Sequence, residues 1–392
     1  MSKLKTAVFS LIPLILLLVV LEITGRIIYP FETDERALIM AERDPRLELS
    51  YFGGEHDGKS ILYDIHSKQS RYLPFLGWIG KPNIDLPTIS TNALGFRDAP
   101  LQPRTEGVYR ILLLGGSTAW GLGASANAAT VSGALESILN ESNAGRHVRV
   151  MNGAYPGWQS RHELVALMEY FSQFDPDLVI ALTGYNDLHV MALGGNPDLQ
   201  MRAESQMLAD AVDASLKPMG TLQAVRKVVG SLGIWRIVVY FREMMQNNAT
   251  GVSKVLAYDK GDSDRILPGV ADRYVTMSNY AARHGAHLLI AVQPDIYTTG
   301  KSFPPEEQQV RERFTEKYAH IADVYSQYRR DAIGYFSAIT AADDNASVMD
   351  LAAVFDNSEE PVFLDECHLN DKGHRMVAES LARTINELYP GR

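Results

Sequence analysis

The chain has 392 residues, of which 46% are hydrophobic and 21% are charged, and its formal net charge is -10 at pH 7. This size and composition suit one large or two medium folded domains and argue against a disordered chain. The acidic balance and the lack of a lysine and arginine run argue against a nucleic-acid partner, which needs clustered positive charge. The single cysteine, Cys367, excludes an internal disulfide framework and a cysteine-rich zinc site.

Residues 1–30 predict a membrane anchor. Lys3 and Lys5 precede an uncharged apolar run over residues 6–21, and the apolar character continues beyond it. As a helix, the uncharged run spans about 24 Å of a hydrocarbon layer of about 30 Å, and the longer segment is sufficient to cross it. Glu22 and Arg26 are four residues apart, so they can pair at the membrane interface.

No small-residue cleavage site follows the apolar run, which favours an uncleaved anchor over a cleaved signal peptide or a buried soluble helix. Lys3 and Lys5 favour an N-terminus in the cytoplasm, although Arg26 and Arg36 on the other side reduce this charge bias. The sequence therefore predicts a single-pass protein whose main domain lies outside the cytoplasm, on the periplasmic or extracellular side.

Residues 31–105 have no clean periodicity and contain turn-rich aromatic pieces such as "LPFLGWIGKPN". They predict an irregular lead-in that packs on the main domain. We use the name lead-in for these residues below.

Residues 106–392 alternate between strand and helix patterns. Helical patterns such as "SRHELVALMEYFSQF" separate short apolar runs that each end at glycine or proline. This alternation predicts an α/β fold in which helices cover both faces of a parallel sheet. The predicted strands are residues 109–116, 147–153, 177–184 and 286–294.

Residues 188–265 break this alternation and predict an insertion after the third strand. Within the insertion, residues 222–245 have an amphipathic helical pattern. A cap helix packed on the domain and a helix lying on a membrane surface both fit that pattern.

Candidate site residues follow the predicted strands, because an open parallel sheet binds its ligands beyond the carboxyl ends of its strands. Gly116 ends the first run and presents Ser117. Gly153 and Gly157 follow the second run, and Asn186 follows the third within "TGYND".

The segment "FLDECHLNDKG" near the C-terminus places Asp365 three residues before His368. A carboxylate at this spacing can bind one ring nitrogen of the histidine and fix its tautomer. A serine nucleophile needs such a base, together with hydrogen-bond donors for the oxyanion. Each pattern alone fits a plain turn or phosphate loop, a helix cap beside a surface histidine, or a weak metal pair with His374. Their joint occurrence favours a catalytic site.

The order of these motifs resembles the SGNH hydrolase (GDSL-type esterase and lipase) superfamily over roughly residues 90–390. The resemblance implies Ser117 as the nucleophile, His368 as the general base and Asp365 as its orienting partner. It also implies an oxyanion hole formed by the backbone N–H of Ser117, Gly157 and Asn186. A flavodoxin-like three-layer α/β/α sandwich with no metal or organic cofactor is expected.

The chain departs from the family pattern at Gly116, where aspartate is usual, and its "GGST" resembles membrane-anchored members. The nucleophile elbow G-x-S-x-G of α/β-hydrolases is not met, because Ala119 occupies its last glycine position. Trp120 and Trp158 lie near the predicted site loops and suit either stacking on a sugar ring or packing.

The expected substrate is an acyl ester, such as an O-acetyl group on an envelope glycan or a lipid ester. The expected activity is hydrolysis. Acyl transfer to a sugar hydroxyl through the same residues and a catalytically silent domain that binds a glycan or a partner are the alternatives. The oligomeric state is not predicted.

Overall fold

The computed structural model describes residues 3–28, 33–53, 57–67, 69–142, 147–199, 232–248 and 254–389, together with the single residues 206 and 229. The strands are β1 (Ser70–Leu73), β2 (Gly77–Gly80), β3 (Val108–Gly115), β4 (His147–Asn152), β5 (Leu178–Thr183), β6 (Lys254–Val255), β7 (His287–Val292), β8 (Tyr318–Ala319) and β9 (Ala346–Asp350). The helices are α1 (Lys3–Ile28), α2 (Thr33–Glu42), α3 (Ser50–Gly53), α4 (Gly58–His66), α5 (Ser117–Trp120), α6 (Val131–Ser142), α7 (Ser160–Phe174), α8 (Tyr185–Ala192), α9 (Gly233–Asn248), α10 (Lys260–Arg283), α11 (Pro305–Lys317), α12 (Ile321–Ala342) and α13 (Asp371–Leu388).

A five-stranded parallel sheet forms the centre of the main domain, with the strand order β4-β3-β5-β7-β9. Strand β3 comes first in the chain among these five and lies between β4 and β5. Its Ile111 pairs with Val150 of β4 and with Leu178 of β5. Every residue of β5 is buried, as expected for a strand that is covered on both faces. The chain reverses its direction of winding at β3, and such a point is where this fold binds ligands.

Two groups of helices cover the sheet. Helix α6 packs against β4 and α13, whereas α7, α10 and α12 pack against β3, β7 and β9 respectively. The arrangement is the expected flavodoxin-like three-layer sandwich. The four predicted strands are confirmed to within two residues at each end. The fifth strand, β9, was not predicted from the sequence.

The lead-in contains more regular structure than its sequence suggests. It forms α2, α3 and α4 and an antiparallel hairpin of β1 and β2. Arg97, near the C-terminal end of the lead-in, connects it to the sandwich. Its buried guanidinium donates to the carbonyl oxygens of Gly121 and Ala124 and to the side chain of Asn127. The lead-in therefore packs on the main domain.

Helix α1 contains one segment, Leu11–Ile28, that is long and apolar enough to cross a membrane, with a mean hydropathy of 2.4. This length and composition suit a membrane anchor or a signal sequence. Helix α9 packs along α1, and the Glu22 carboxylate accepts a hydrogen bond of 2.6 Å from the backbone N–H of Gly233. Most of the predicted amphipathic pattern before Leu232 lies outside the described residues.

Candidate active site

Ser117 is the first residue of α5 and directly follows the glycine pair at the end of β3. Gly115 has a φ of +149°, and a Cβ there would overlap the Leu182 carbonyl oxygen and lie 2.7 Å from the Ala119 Cβ. Glycine is therefore required at the point where the central strand turns into α5. The turn places the half-buried Ser117 beyond the carboxyl end of β3.

Gly116 has no unusual backbone conformation, since its φ is -86°. A Cβ at this position would instead collide with the side-chain nitrogen of Asn186. The aspartate that is usual in the family therefore does not fit here while Asn186 keeps its position. This contact also brings Asn186, at the start of α8 after β5, next to the Ser117 loop.

The structure brings Ser117, His368 and Asp365 together. The Ser117 Oγ lies 2.7 Å from the His368 Nε2, and the His368 Nδ1 lies 2.7 Å from each carboxylate oxygen of Asp365. With the proton on Nδ1, the ring donates to Asp365 and its Nε2 is free to accept the serine proton.

The backbone around Asp365 stabilises the charged carboxylate. Its Oδ1 accepts hydrogen bonds from the backbone N–H groups of His368, at 2.9 Å, and Cys367, at 3.2 Å. Burial opposes ionisation of this carboxyl, but the His368 ring, these hydrogen bonds and the nearby Arg46 outweigh it and hold the pKa of Asp365 well below its usual value. Asp365 therefore stays charged at neutral pH, as an orienting partner of histidine must.

Two polar residues that the sequence analysis did not single out connect the loops of the site. The Thr118 hydroxyl donates to the Cys367 carbonyl oxygen at 3.0 Å, and the Gln293 side-chain amide donates to the same hydroxyl at 3.1 Å. All three residues are buried. This chain of bonds joins the serine loop, the histidine loop and the end of β7. The only sequence signal is a polar residue that directly follows Ser117 and another, Gln293, just before the proline that ends the predicted fourth strand.

Asn186 and Gly157 lie on neighbouring loops. The Asn186 Nδ2 donates to the Trp158 carbonyl oxygen at 2.7 Å, which leaves its second N–H available. Gly157 is exposed in the turn just before Trp158, has a φ of +80°, and has open space where a side chain would be. Asp187 accepts from the backbone N–H of Ser160 at 2.8 Å and thereby fixes the start of α8 next to the start of α7.

Both tryptophans near the site are packed inside the protein. Trp158 is 2% exposed, and its indole N–H donates to the Trp78 carbonyl oxygen at 2.8 Å. Trp120 is 8% exposed, with the Arg97 guanidinium 5.0 Å from its ring centre. Both rings are largely covered by protein, which favours the packing interpretation over stacking on a sugar.

Among the described residues, one group has the composition of a metal site: Asp365, Cys367 and His368, whose ligand atoms lie within 4.8 Å of one another. A metal would need the thiolate of Cys367, but burial raises the pKa of this thiol well above its usual value. The His368 Nδ1 is also occupied by Asp365. His374 lies buried at the start of α13, and burial lowers its pKa to about 4. These donors fit a hydrogen-bonded pair better than a metal centre.

Similar solved structures include several esterases. A two-domain esterase active on acetylated mannans is 10% identical at a TM-score of 0.39, with 73% of this chain and 50% of that chain covered. TesA is 13% identical at a TM-score of 0.39, with 71% and 99% covered. Esterase EstA from Pseudoalteromonas sp. is 12% identical at a TM-score of 0.37, with 72% and 98% covered. The matched region thus spans about half the length of the two-domain esterase.

A comparison with curated proteins gives no match. The profile of the GDSL-like Lipase/Acylhydrolase family matches residues 113–376, which is more than half of the chain and includes Ser117, Asp365 and His368. This match agrees with the resemblance found in the sequence motifs. The chain belongs to the GDSL-like lipase and acylhydrolase family and is an ester-cleaving hydrolase.

Proposed function

We propose that the protein is a membrane-anchored serine esterase that removes an O-acyl group, such as O-acetyl, from an envelope glycan or a lipid ester. The observation that carries this proposal is the continuous hydrogen-bonded path from Ser117 through His368 to Asp365, in which each contact measures 2.7 Å. A domain that only bound a glycan would have no use for a serine hydroxyl held against a histidine base.

In the proposed mechanism, the Ser117 Oγ attacks the ester carbonyl carbon while the His368 Nε2 takes the hydroxyl proton. The new bond converts the carbonyl to a tetrahedral oxyanion, and collapse of this intermediate breaks the bond to the leaving alcohol. His368 returns the proton to that alcohol, which leaves an acyl-serine. Water then attacks the acyl-serine with the same base and releases the acid. Asp365 keeps the imidazole oriented throughout.

The proposed oxyanion hole consists of the Ser117 and Gly157 backbone N–H groups and the Asn186 side-chain amide. Asn186 supports this assignment because it contacts the Gly116 position and uses only one of its two N–H bonds on Trp158. Gly157 supports the assignment because it lies in an exposed turn directly before Trp158, whose carbonyl oxygen accepts from Asn186. Removing one such donor from a serine hydrolase lowers kcat by about 10² to 10³.

The apolar helix α1 supports the anchored form of the proposal, with the catalytic domain on the periplasmic or extracellular side. An enzyme held there meets lipid esters and the acylated glycans of the cell envelope. The interior of α1 carries no charged residue between Lys5 and Glu22, as a lipid-facing segment requires.

The test uses the full chain in detergent micelles with p-nitrophenyl acetate and p-nitrophenyl decanoate. We expect Ser117→Ala and His368→Ala each to lower turnover by about 10³-fold or more while the circular dichroism spectrum stays unchanged. Ser142→Ala is the matched control, since Ser142 is exposed at the end of α6 and should keep full activity. Preference for the short ester would favour sugar deacylation, and preference for the long one would favour lipolysis.

Turnover that persists in Ser117→Ala would contradict the assigned nucleophile. Acyl transfer is distinguished by adding a methyl glycoside and measuring its acylated product against free acid. A folded wild-type chain that releases no acid and acylates no acceptor would leave only the binding role.

A further inference from the structure

We propose that Arg46, in the lead-in, is a positioning residue of the esterase: its guanidinium holds Asp365 in place and supplies a positive charge behind the Asp365–His368 pair. This inference rests on the proposed function and adds a residue to it. Arg46 lies outside the region that matches the family profile, which begins at residue 113.

The contact that carries the inference joins two segments far apart in the chain. The Arg46 Nη1 lies 3.5 Å from the Asp365 Oδ2, and the two side chains are only 17% and 15% exposed. Both line a cavity of about 280 Å³ between the lead-in, α11 and the histidine loop. The ion pair is therefore screened less by water and salt than one on an open surface.

The remaining donors of Arg46 are fixed by Asp44. The Arg46 Nε and Nη2 donate to the two Asp44 carboxylate oxygens at 2.9 and 2.8 Å, which is a bidentate pair. The His66 Nε2 contacts the same carboxylate at 2.9 Å from the end of α4. These contacts fix the orientation of the guanidinium, so little side-chain entropy is lost when the Nη1 contacts Asp365.

Two consequences for the reaction follow from this placement. First, both Asp365 oxygens contact the His368 Nδ1, so the orientation of the carboxylate sets the orientation of the ring. A cation on Oδ2 restrains that carboxylate at an oxygen that also contacts the ring. Second, a positive charge near the pair disfavours a second positive charge on the imidazole. The acidic limb of the activity profile should therefore respond to the charge at position 46.

Other ionisable groups surround the pair, and most of them do not titrate near neutral pH. They are Glu366, Cys367, Tyr185, Tyr297 and His374. Arg313 lines the same cavity, and Asp44 contacts both Arg46 and His66. Glu366 is the exception, because burial and the neighbouring Asp365 raise its pKa to about 7. Any shift assigned to Arg46 must therefore persist when Glu366 is replaced by glutamine.

The experiment measures kcat/KM for p-nitrophenyl acetate from about pH 5 to 9 with the full chain in micelles. We expect Arg46→Gln to move the acidic limb to higher pH by about 0.5 unit or more and to lower kcat, and Arg46→Lys to restore the limb but not the full kcat. The Arg46→Gln shift should recur in a Glu366→Gln background. Arg104→Met is the charge control, since Arg104 is exposed and pairs with Asp177 at the opposite end of the sheet.

An unchanged limb in Arg46→Gln would overturn the inference, whatever its kcat, because a merely structural residue would behave in that way. Equal shifts in Arg46→Gln and Arg46→Lys would also overturn it, since the charge would then not be the cause. Arg46→Met is the second neutral variant, and a failure of both neutral variants to fold would assign Arg46 to the fold alone. A wild-type chain without turnover that depends on Ser117 would remove the proposed function instead, so the two failures are distinguishable.

Discussion

The two glycines before Ser117 are required for different reasons. Gly115 has a backbone conformation that disfavours other residues, and it lies against the Leu182 carbonyl oxygen of the neighbouring strand. Gly116 has an ordinary conformation but lacks room, because the Asn186 amide occupies the space of a side chain. The difference predicts different defects: replacing Gly115 affects the fold, and replacing Gly116 affects the proposed oxyanion hole.

We expect Gly116→Ala to lower kcat by about 10-fold or more with little change in KM, because the new methyl group displaces Asn186, the proposed oxyanion donor, rather than a group that binds the ground state. The measurement is steady-state hydrolysis of p-nitrophenyl acetate. Thermal unfolding is recorded in parallel, and the midpoint should fall by only a few degrees.

A double-mutant cycle with Asn186→Ala isolates the cause. If the methyl group acts through Asn186, then adding Gly116→Ala to Asn186→Ala should cost little further activity. Independent, multiplying losses would show that the methyl group acts on another part of the loop, and the steric explanation would then be wrong.

The buried guanidinium of Arg97 connects the lead-in to the sandwich. Arg97 donates to acceptors in the turn after α5 and to the Thr88 carbonyl oxygen within the lead-in itself. Burial lowers the pKa of Arg97 to about 10, so it remains charged at neutral pH. Its loss would remove the donor to the Ala124 and Thr88 carbonyl oxygens and weaken the hydrogen bonding of Gly121 and Asn127.

We therefore expect Arg97→Met to lower the free energy of unfolding by about 3 kcal/mol or more, since the new side chain makes no hydrogen bonds to the acceptors it leaves buried. Urea unfolding of the full chain in micelles measures the change. The exposed Arg104→Met should change it by no more than about 0.5 kcal/mol. Equal effects of the two substitutions would contradict the role assigned to Arg97.

The elements that were predictable are those whose residues carry a local pattern. The four predicted strands are buried apolar runs that end at glycine or proline, so their sequences were sufficient to locate them. Strand β9, with the sequence "ASVMD", lies at the edge of the sheet and is mostly half-buried, so it carries no such run. The lead-in helices are short, and α4 depends on contacts with α2 rather than on a long apolar period.

The same distinction applies to the site. Asp365 and His368 form a pair within one loop, so their spacing alone indicated that they would meet. Arg46 reaches the pair across 319 positions of sequence, and the hydroxyl of Thr118 reaches the Cys367 carbonyl across 249. Contacts of this kind are set by how the lead-in and the loops pack, which no local pattern records.

Buried ionisable groups throughout the protein make its stability depend on pH. Burial raises carboxyl pKa values and lowers histidine pKa values in the folded state. The folded-state pKa is about 6 for Asp98, about 7 for Glu366, about 8 for Glu163, and about 4 for His162, His189 and His374. The contribution of the three histidines to the free energy of unfolding therefore rises with pH and reaches its full value near pH 6.5. The contribution of each carboxyl falls as the pH rises, until the pH passes the folded-state pKa of that carboxyl.

Glu163 has the highest of these carboxyl values and lies between β5 and α10, where it accepts hydrogen bonds from Thr183 at 2.7 Å and Tyr274 at 3.1 Å. Between pH 7 and 8 the folded state still holds this proton and the unfolded state does not. We expect the free energy of unfolding to fall by about 1 kcal/mol from pH 7 to pH 8, and we expect Glu163→Gln to abolish most of this decrease. Urea unfolding at the two pH values measures it. An unchanged decline in Glu163→Gln would assign the loss to other groups.

Arg46 lies in the chain between α1, which ends at Ile28, and α4, which begins at Gly58. In the proposed anchored form, a protease could release the catalytic domain by cutting after α1. The released chain keeps the Asp44–Arg46 pair only if the cut lies before Asp44. A cut a few residues later would release a soluble chain that keeps Ser117 and His368 but lacks the cation behind Asp365. The position of a single cleaved peptide bond would then decide whether the released enzyme keeps its full activity or has a lowered one.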